Sequence, residues 1–205
     1  MEDPALLANR LEYKNKKLNK LLKKYKQRNQ LQHALIQLSE LANTVAELTL
    51  LYPAIHDILK QYLPSKSFYV VLQNQYSQSL ELSYFVDEKD GIAVPIQESH
   101  HFSEGVTGFT FRKGETVYIN KQEMGRLSNE GHFKLLGTPA EHWLGVPIRQ
   151  NKHIIGVMVT QSYEKSLAYT EQQVELLEFI SLYLGTAIER VKKRELLESE
   201  VKIRT

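Results

Sequence analysis

Between Glu141 and Tyr163 the chain reads EHWLGVPIRQNKHIIGVMVTQSY, two apolar runs around a short polar turn, and no other feature constrains its fold as strongly. In the first run Trp143, Gly145 and Pro147 share one parity and Leu144, Val146 and Ile148 the other. Successive side chains of a strand point to opposite faces, so both faces of this strand need cover. The second run, Ile154 to Gln161, has the same character, and Gln150, Asn151 and Lys152 supply the turn. The pattern predicts an antiparallel hairpin in the centre of a sheet, with further structure packed above and below it.

The remaining strands follow from composition. Ser67–Gln73 (SFYVVLQ) and Leu80–Val86 (LELSYFV) are rich in branched and aromatic residues around the polar stretch Asn74 to Ser79, which predicts a second hairpin. The stretch Ala93 to Ile96 has no assignment. Ser103 is read as the cap of a short helix, Glu104 to Arg112, closed by Gly114, with a strand over Glu115 to Ile119. Residues 120–141 hold several glycines, polar residues and the pair Leu135–Leu136, the pattern of a long excursion with room for one helical turn. Such excursions often cover a site.

Both ends are read as helical. Asp3 and Pro4 form a helix opening, and no Gly or Pro follows until Pro53, so a rod of about 70 Å is expected at a rise of 1.5 Å per residue. Leu31, Leu38, Val45 and Tyr52 repeat every seven residues, flanked by Leu35, Leu41, Ala42 and Leu48. Leu11, Leu18, Leu21 and Tyr25 continue the stripe less regularly, and Arg28 and Asn29 interrupt it. Beyond Tyr52, the residues Ile55, Ile58, Leu59 and Leu63 make a broader face suited to a sheet, and Pro64 ends it. Thr170 and Gln173 make a capping box for a last helix striped by Leu177, Ile180, Leu184, Ala187, Val191 and Val201. The expectation is a homodimer paired through Leu31, Leu35, Leu38, Val45, Ile180, Leu184, Ala187 and Val191. The expected layout is a coiled-coil helix over 1–44, a folded domain over 45–190 and an outgoing helix over 191–205.

Composition excludes several kinds of function. The chain has no cysteine, which removes disulfides, thiolate metal sites, thioether cofactor attachment and thiol nucleophiles. No run approaches the roughly 18 apolar residues of a membrane span, and MEDPALL lacks the plan of a signal peptide, so a cytoplasmic chain without a span is expected. The net charge of +2 is unevenly spread, with Arg10 to Arg28 carrying seven lysines between them against Glu12 alone. The lysines surround the leucine stripe and stacking aromatics are few. That helix is therefore read as the solvated flank of a coiled coil in preference to a binder of nucleic acid or an acidic membrane.

His100, His101, His132 and His142 flank the presumed mouth of the domain, where neutral imidazoles bind zinc or haem, but their spacing is not that of a metal site. His33 and His56 read as ordinary helix residues. The amides of Gly105, Val106 and Thr107 suit an anion at a helix start, although capping by Ser103 is the simpler reading. No Ser-His-Asp, paired-acid or metal arrangement stands at readable spacing, so no catalysis, metal or cofactor is expected.

Taken in order, SEGVTGFTFRKGETVYI, HWLGVPI, HIIGVMVTQSY and AYTEQQVELLEFISLYLGTAIER resemble a GAF domain over about Val45 to Arg190. The resemblance implies an α+β fold whose central antiparallel sheet has helices on both faces. Its terminal helices would pack on one face, with a small-molecule pocket on the other beneath short helices and loops. It implies a regulatory role, with Tyr69, Val71, Tyr84, Val106, Phe109, Phe133, Met158 and above all Trp143 lining the pocket. Asn120 and Lys121 match the start of a motif of cyclic-nucleotide-binding members, from which Gln122, Glu123 and Met124 depart. The bilin-attachment cysteine of phytochrome relatives and the catalytic cysteines of methionine-sulfoxide-reducing relatives are absent. The tail RELLESEVKIRT is similar to connecting helices of bacterial diguanylate cyclases and histidine kinases, so an output domain, a cyclase first, is expected beyond Thr205.

Overall fold

Alternation along one strand sorts the molecule into two cores. The structure, a computed structural model, describes residues 4–44, 47–89 and 100–204; Val45 and the stretch 93–96 lie outside the described residues, as does the side chain of Leu31. Strands β1 (Ser67–Gln73) and β2 (Leu80–Val86) form one hairpin, β4 (His142–Gln150) and β5 (His153–Ser162) the other, with β3 (Val117–Asn120) beside β4. All pairings are antiparallel, in the order β2-β1-β5-β4-β3. The two predicted hairpins thus meet in the centre through β1 and β5. Asn151 at φ 55° makes the tight turn between Gln150 and His153.

On one face, Phe68, Val70, Leu144, Val146, Ile148 and Met158 pack against the long helices α1 (Pro4–Thr44), α2 (Leu48–Leu59) and α6 (Glu171–Arg204). On the other, Tyr69, Val71, Trp143, Val157 and Val159 meet α4 (Val106–Lys113) and α5 (Lys121–Asn129), with the short α3 (His100–Glu104) alongside. The capping box of α6 forms as expected: Thr170 N donates to Gln173 Oε1 at 2.9 Å and Gln173 N to Thr170 Oγ1 at 3.4 Å.

Several expectations need correcting. The entering helix is not one rod. α1 ends at Thr44, Glu47 is extended, and a separate α2 carries Pro53 inside it. The break follows Asn43 and Thr44, both weak helix formers. It lets Ala34 and Leu38 dock beside α6 while Leu51, Ile55 and Leu59 dock on the sheet, which a straight rod cannot do. The end of α1 therefore belongs to the domain core, ahead of residue 45. Ser103 sits within α3 and caps nothing: α4 starts from Gly105 without a side-chain cap. The excursion over 120–141 holds the nine-residue α5, capped by Asn120, whose Oδ1 accepts from Glu123 N at 2.9 Å. Gly114 ends α4 in the left-handed region, φ 69°, as read from the sequence. A Cβ on Gly108 would strike the Ser103 carbonyl, so that glycine admits the close approach of α3 to α4.

The stripes assigned to a partner helix are largely used within the chain. Leu38, Ile180, Leu184, Ala187 and Val191 are all buried in the chain's own helix-face core or against it, and Leu35 edges a groove beside them. Their heptad-like spacing serves the packing of α1, α2 and α6 on the sheet, because the same apolar periodicity suits an intrachain helix pair.

His56 is likewise not an ordinary helix residue. It is buried among Phe68 and Tyr84, and Nε2 donates to the Ser65 carbonyl at 2.6 Å while Nδ1 lies 3.0 Å from Tyr84 Oη. A carbonyl only accepts, so Nε2 carries the proton and Nδ1 accepts from the phenol. Burial pushes the imidazole below its usual value, partly opposed by the Ser65 bond. The unfolded chain then binds more protons than the native one below about pH 6.5, the unfolded value, so this contribution is whole above that pH and is lost on acidification. Urea unfolding across a pH series should show the decline in the wild type and a flatter profile in His56→Gln; superimposable profiles would refute the assignment.

Candidate functional site

The face of the sheet away from the long helices encloses a cavity of about 90 Å³. Its floor is Tyr69, Trp143 and Gln161; its walls are Phe102, Val106, Thr107, Met124 and Phe133; its cover is the segment from Lys134 to Ala140. Strand parity places the floor, since Gln161 shares the face of Val157 and Val159, and Trp143 pairs with Gln161 across β4 and β5.

A buried polar chain crosses this floor. Trp143 Nε1 donates to Tyr69 Oη at 3.2 Å, and Tyr69 Oη lies 3.0 Å from Thr107 Oγ1, with either hydroxyl able to donate. Burial pushes the Tyr69 phenol up to about 12, against the opposing effect of its bonds to Thr107 and Trp143. The group is a neutral hydrogen-bonding partner and not a base at physiological pH. At the edge, Gln161 Nε2 donates to Asp87 Oδ2 at 2.7 Å and to Tyr163 Oη at 2.8 Å, and Tyr163 in turn donates to Asp87 at 3.1 Å. Asp87 is buried, and this network holds the Gln161 amide in place.

The cover is tied down at several points. Lys121 N donates to the Glu141 carbonyl at 3.0 Å and Lys121 Nζ reaches Glu141 Oε1 at 2.9 Å, closing the excursion at its base. The hydrogen bond from Lys121 holds the Glu141 carboxyl below its usual range. Asn120 and Lys121, the residues that match the start of a nucleotide motif, thus cap α5 and clamp this base. Over the cavity, Lys134 N donates to the Glu104 carbonyl at 2.9 Å and Lys134 Nζ pairs with Glu104 Oε2 at 2.7 Å. Both side chains are exposed, so the ion pair is worth at most about 1 kcal/mol and the cover is only lightly latched.

Of the eight expected pocket residues, Tyr69, Val106, Phe133 and Trp143 line the cavity. Val71 lies in the same core and Phe109 backs Phe133 at 5.5 Å between ring centres. Tyr84 and Met158 do not belong: both face the long helices. Met158 alternates with Val157 and Val159, and the β1–β2 register shifts so that Val70 faces Tyr84 but Val71 faces Leu82, which turns Tyr84 over. Phe102, Thr107, Met124 and Gln161 are cavity residues not expected from the sequence. Gln161 was open to parity reasoning; Phe102 and Met124 depend on α3 and α5, whose boundaries were missed.

His132 and His142 have separate partners. His142 Nδ1 lies 3.2 Å from Tyr118 Oη and its Nε2 3.1 Å from the Lys165 carbonyl, while His132 stacks loosely on Phe109 and approaches Glu130. The side chains of His100 and His101 lie outside the described residues. Among the described residues no three His, Asp or Glu side chains converge as a metal site.

Replacing Tyr69 by Phe leaves the buried Trp143 N–H without its acceptor. The expected cost is about 1–3 kcal/mol in denaturant unfolding, with a changed emission from the single tryptophan. Unaltered stability and emission would mean that the indole is already bonded elsewhere.

Comparison with known proteins agrees with this architecture. No protein with a curated description matches the sequence significantly. Among solved structures, the GAF domain of a phosphoenolpyruvate-protein phosphotransferase (ptsP) from Coxiella burnetii is similar with a TM-score of 0.64 at 16% identity, over 81% of this chain and 96% of that one. The GAF domain of the corresponding Acinetobacter enzyme gives 0.62 at 19%, over 82% and 95%. A free methionine-R-sulfoxide reductase from Neisseria meningitidis, solved with its substrate, gives 0.61 at 18%, over 80% and 91%. At these identities the likeness is one of fold. The sequence model of the GAF domain family matches residues 34–189, well over half of the chain, and its first residue is the Ala34 that α1 buries in the core: the chain belongs to the GAF domain family.

Proposed function

We propose that this chain is a non-catalytic sensor module that binds a small neutral molecule beneath the cover of the 120–141 excursion and relays binding through its long helices. The observation that carries the reading is the aromatic cavity floored by the Trp143–Tyr69–Thr107 chain, on strands shared with the helix layer. Its floor and walls offer ring faces, a thioether and neutral hydrogen-bonding groups, which suit a ligand with an apolar body and one or two polar atoms. The chain has no thiol for redox chemistry. On the other side of β4, Ser181 Oγ of α6 donates to the Pro147 carbonyl at 2.7 Å, a buried bond. A ligand that moves Trp143 moves β4, and β4 is fastened to α6. A domain with two helix packings of similar energy would pass that bias along the helix.

The relay is proposed to work in a homodimer. An apolar groove of about 660 Å³ runs between α1, α2 and α6, lined by residues such as Leu35, Leu51, Phe179 and Val191, and Leu182 beside it is 58% exposed. The output is proposed to be a diguanylate cyclase domain beyond Thr205, with a histidine kinase as the alternative, on the strength of the helical tail. A cytoplasmic location fits the described residues, among which no helix is long and apolar enough to cross a membrane.

A second reading, a GAF scaffold that only dimerises, is favoured by the size of the cavity. At about 90 Å³ it falls below the roughly 300–1,000 Å³ of ligand pockets and suits a few waters at about 30 Å³ each unless the cover opens. Native mass spectrometry separates the two. The sensor retains or takes up a small molecule and loses it on Thr107→Val; the scaffold stays empty against a metabolite extract. Leu182→Cys in this cysteine-free chain should give a disulfide-linked dimer on mild oxidation, and a species that sediments as a monomer and never cross-links would end the relay proposal.

A further inference from the structure

We propose that the N-terminal half of α1 is a docking surface for an anionic lipid membrane, with its leucine stripe entering the headgroup layer and its lysines flanking it. From residue 10 to residue 28 the helix carries nine Lys and Arg against Glu12, a net +8; the whole chain is +2, which leaves the remainder at −6. Glu12 is itself paired with Lys16 at 2.7 Å. The charge is thus concentrated on one element.

The placement of that charge is amphipathic. Leu11, Leu18, Tyr25 and Ile36 are spaced by seven, seven and eleven residues, which at about 100° per residue returns each to within about 20° of the one before. Leu22 lies beside them, and all five are 48–67% exposed. Lys14 borders this stripe on one side and Lys26 on the other, with Arg10, Lys17 and Arg28 further round the helix. The helix is continuous to Thr44, so orientation carries along it: Ala34 and Leu38, which dock on the domain, lie two residues either side of Ile36 and therefore on the far side of the helix. The domain core sits behind the helix and the stripe faces outward, exposed among the described residues. Near the domain, Lys23, Lys24 and Arg28 edge a concavity with Tyr62 and Glu175, which leaves Arg10, Lys14, Lys16, Lys17, Lys20 and Lys26 outside it, Lys16 being the partner of Glu12.

A second copy of the same helix is a poorer occupant. With Leu11, Leu18 and Tyr25 as one seam row of a parallel pair, the second row is Lys14, Leu21 and Arg28, two of its three members cationic, and the flanking row is Arg10, Lys17 and Lys24. These would face Asn15, Leu22 and Asn29 of the other copy, with no carboxylate among them. Pairing would bring +8 against +8. Nucleic acid would satisfy the cations but leave the leucines in water. A membrane rich in anionic headgroups satisfies both faces.

The test uses the full chain with vesicles of phosphatidylserine mixed into phosphatidylcholine, pure phosphatidylcholine vesicles, and a random-sequence DNA duplex. Cosedimentation is expected with the anionic vesicles only, weakening as salt rises. The reversal Lys14→Glu, Lys17→Glu, Lys26→Glu should weaken it on the order of a hundredfold, since each basic residue at such a surface contributes about fivefold. Leu11→Gln, Leu18→Gln, Leu22→Gln should abolish binding at physiological salt and keep only a weak attraction at low salt. Unchanged emission of Trp143 in both variants confirms an intact domain. Equal binding to neutral vesicles, no binding to either, tighter binding to the duplex than to vesicles, or Leu→Gln variants that lose self-association but not vesicle binding would each overturn the proposal.

Discussion

The two-sided burial of β4 and β5 is the constraint on which the rest of this structure depends. A strand whose two faces are both apolar cannot sit at a surface, so Trp143 on one side and Leu144, Val146 and Ile148 on the other each demand a layer. The long helices supply one and the short helices with their cover supply the other. The same backbone therefore forms the floor of the cavity and the seat of α6. Displacement on one face cannot be absorbed locally, because close-packed interiors transmit strain.

What lies on the cavity side is neutral chemistry. The Tyr69 phenol is raised out of the physiological range by burial, Trp143 can only donate, and the Asp87 carboxylate is already engaged by Gln161 and Tyr163. Such a set offers neutral hydrogen-bonding groups, and its buried hydrogen bonds make the geometry costly to disturb. Over the cavity the Lys134–Glu104 ion pair is exposed and of low worth, while the base of the excursion is held by Lys121 and the less exposed Glu141.

The entering helix performs two tasks along one length. Its last turns, through Ala34 and Leu38, complete the core, while its first half carries an outward stripe set in lysine. Because a helix preserves orientation over many turns, the docking of one end decides which way the other end looks.

Much of this was legible in the sequence. Both hairpins, the capping box at Thr170 and the glycine that ends α4 were readable because they rest on local rules: parity, turn residues, caps and backbone sterics. Tyr69 and Trp143 were named as pocket residues through the resemblance to GAF domains, and Met158 could have been excluded by parity alone. What only the tertiary structure decided is anything that depends on a distant neighbour. The register shift that turns Tyr84 to the helix side is set by pairing with β1, and the break before α2 by the need to dock in two directions. The fate of the stripe at Leu38, Ile180 and Leu184 is the clearest case. An apolar face of helical period states that it must be buried, but the sequence does not state against what, since a partner chain and the chain's own sheet offer the same hydrophobic gain.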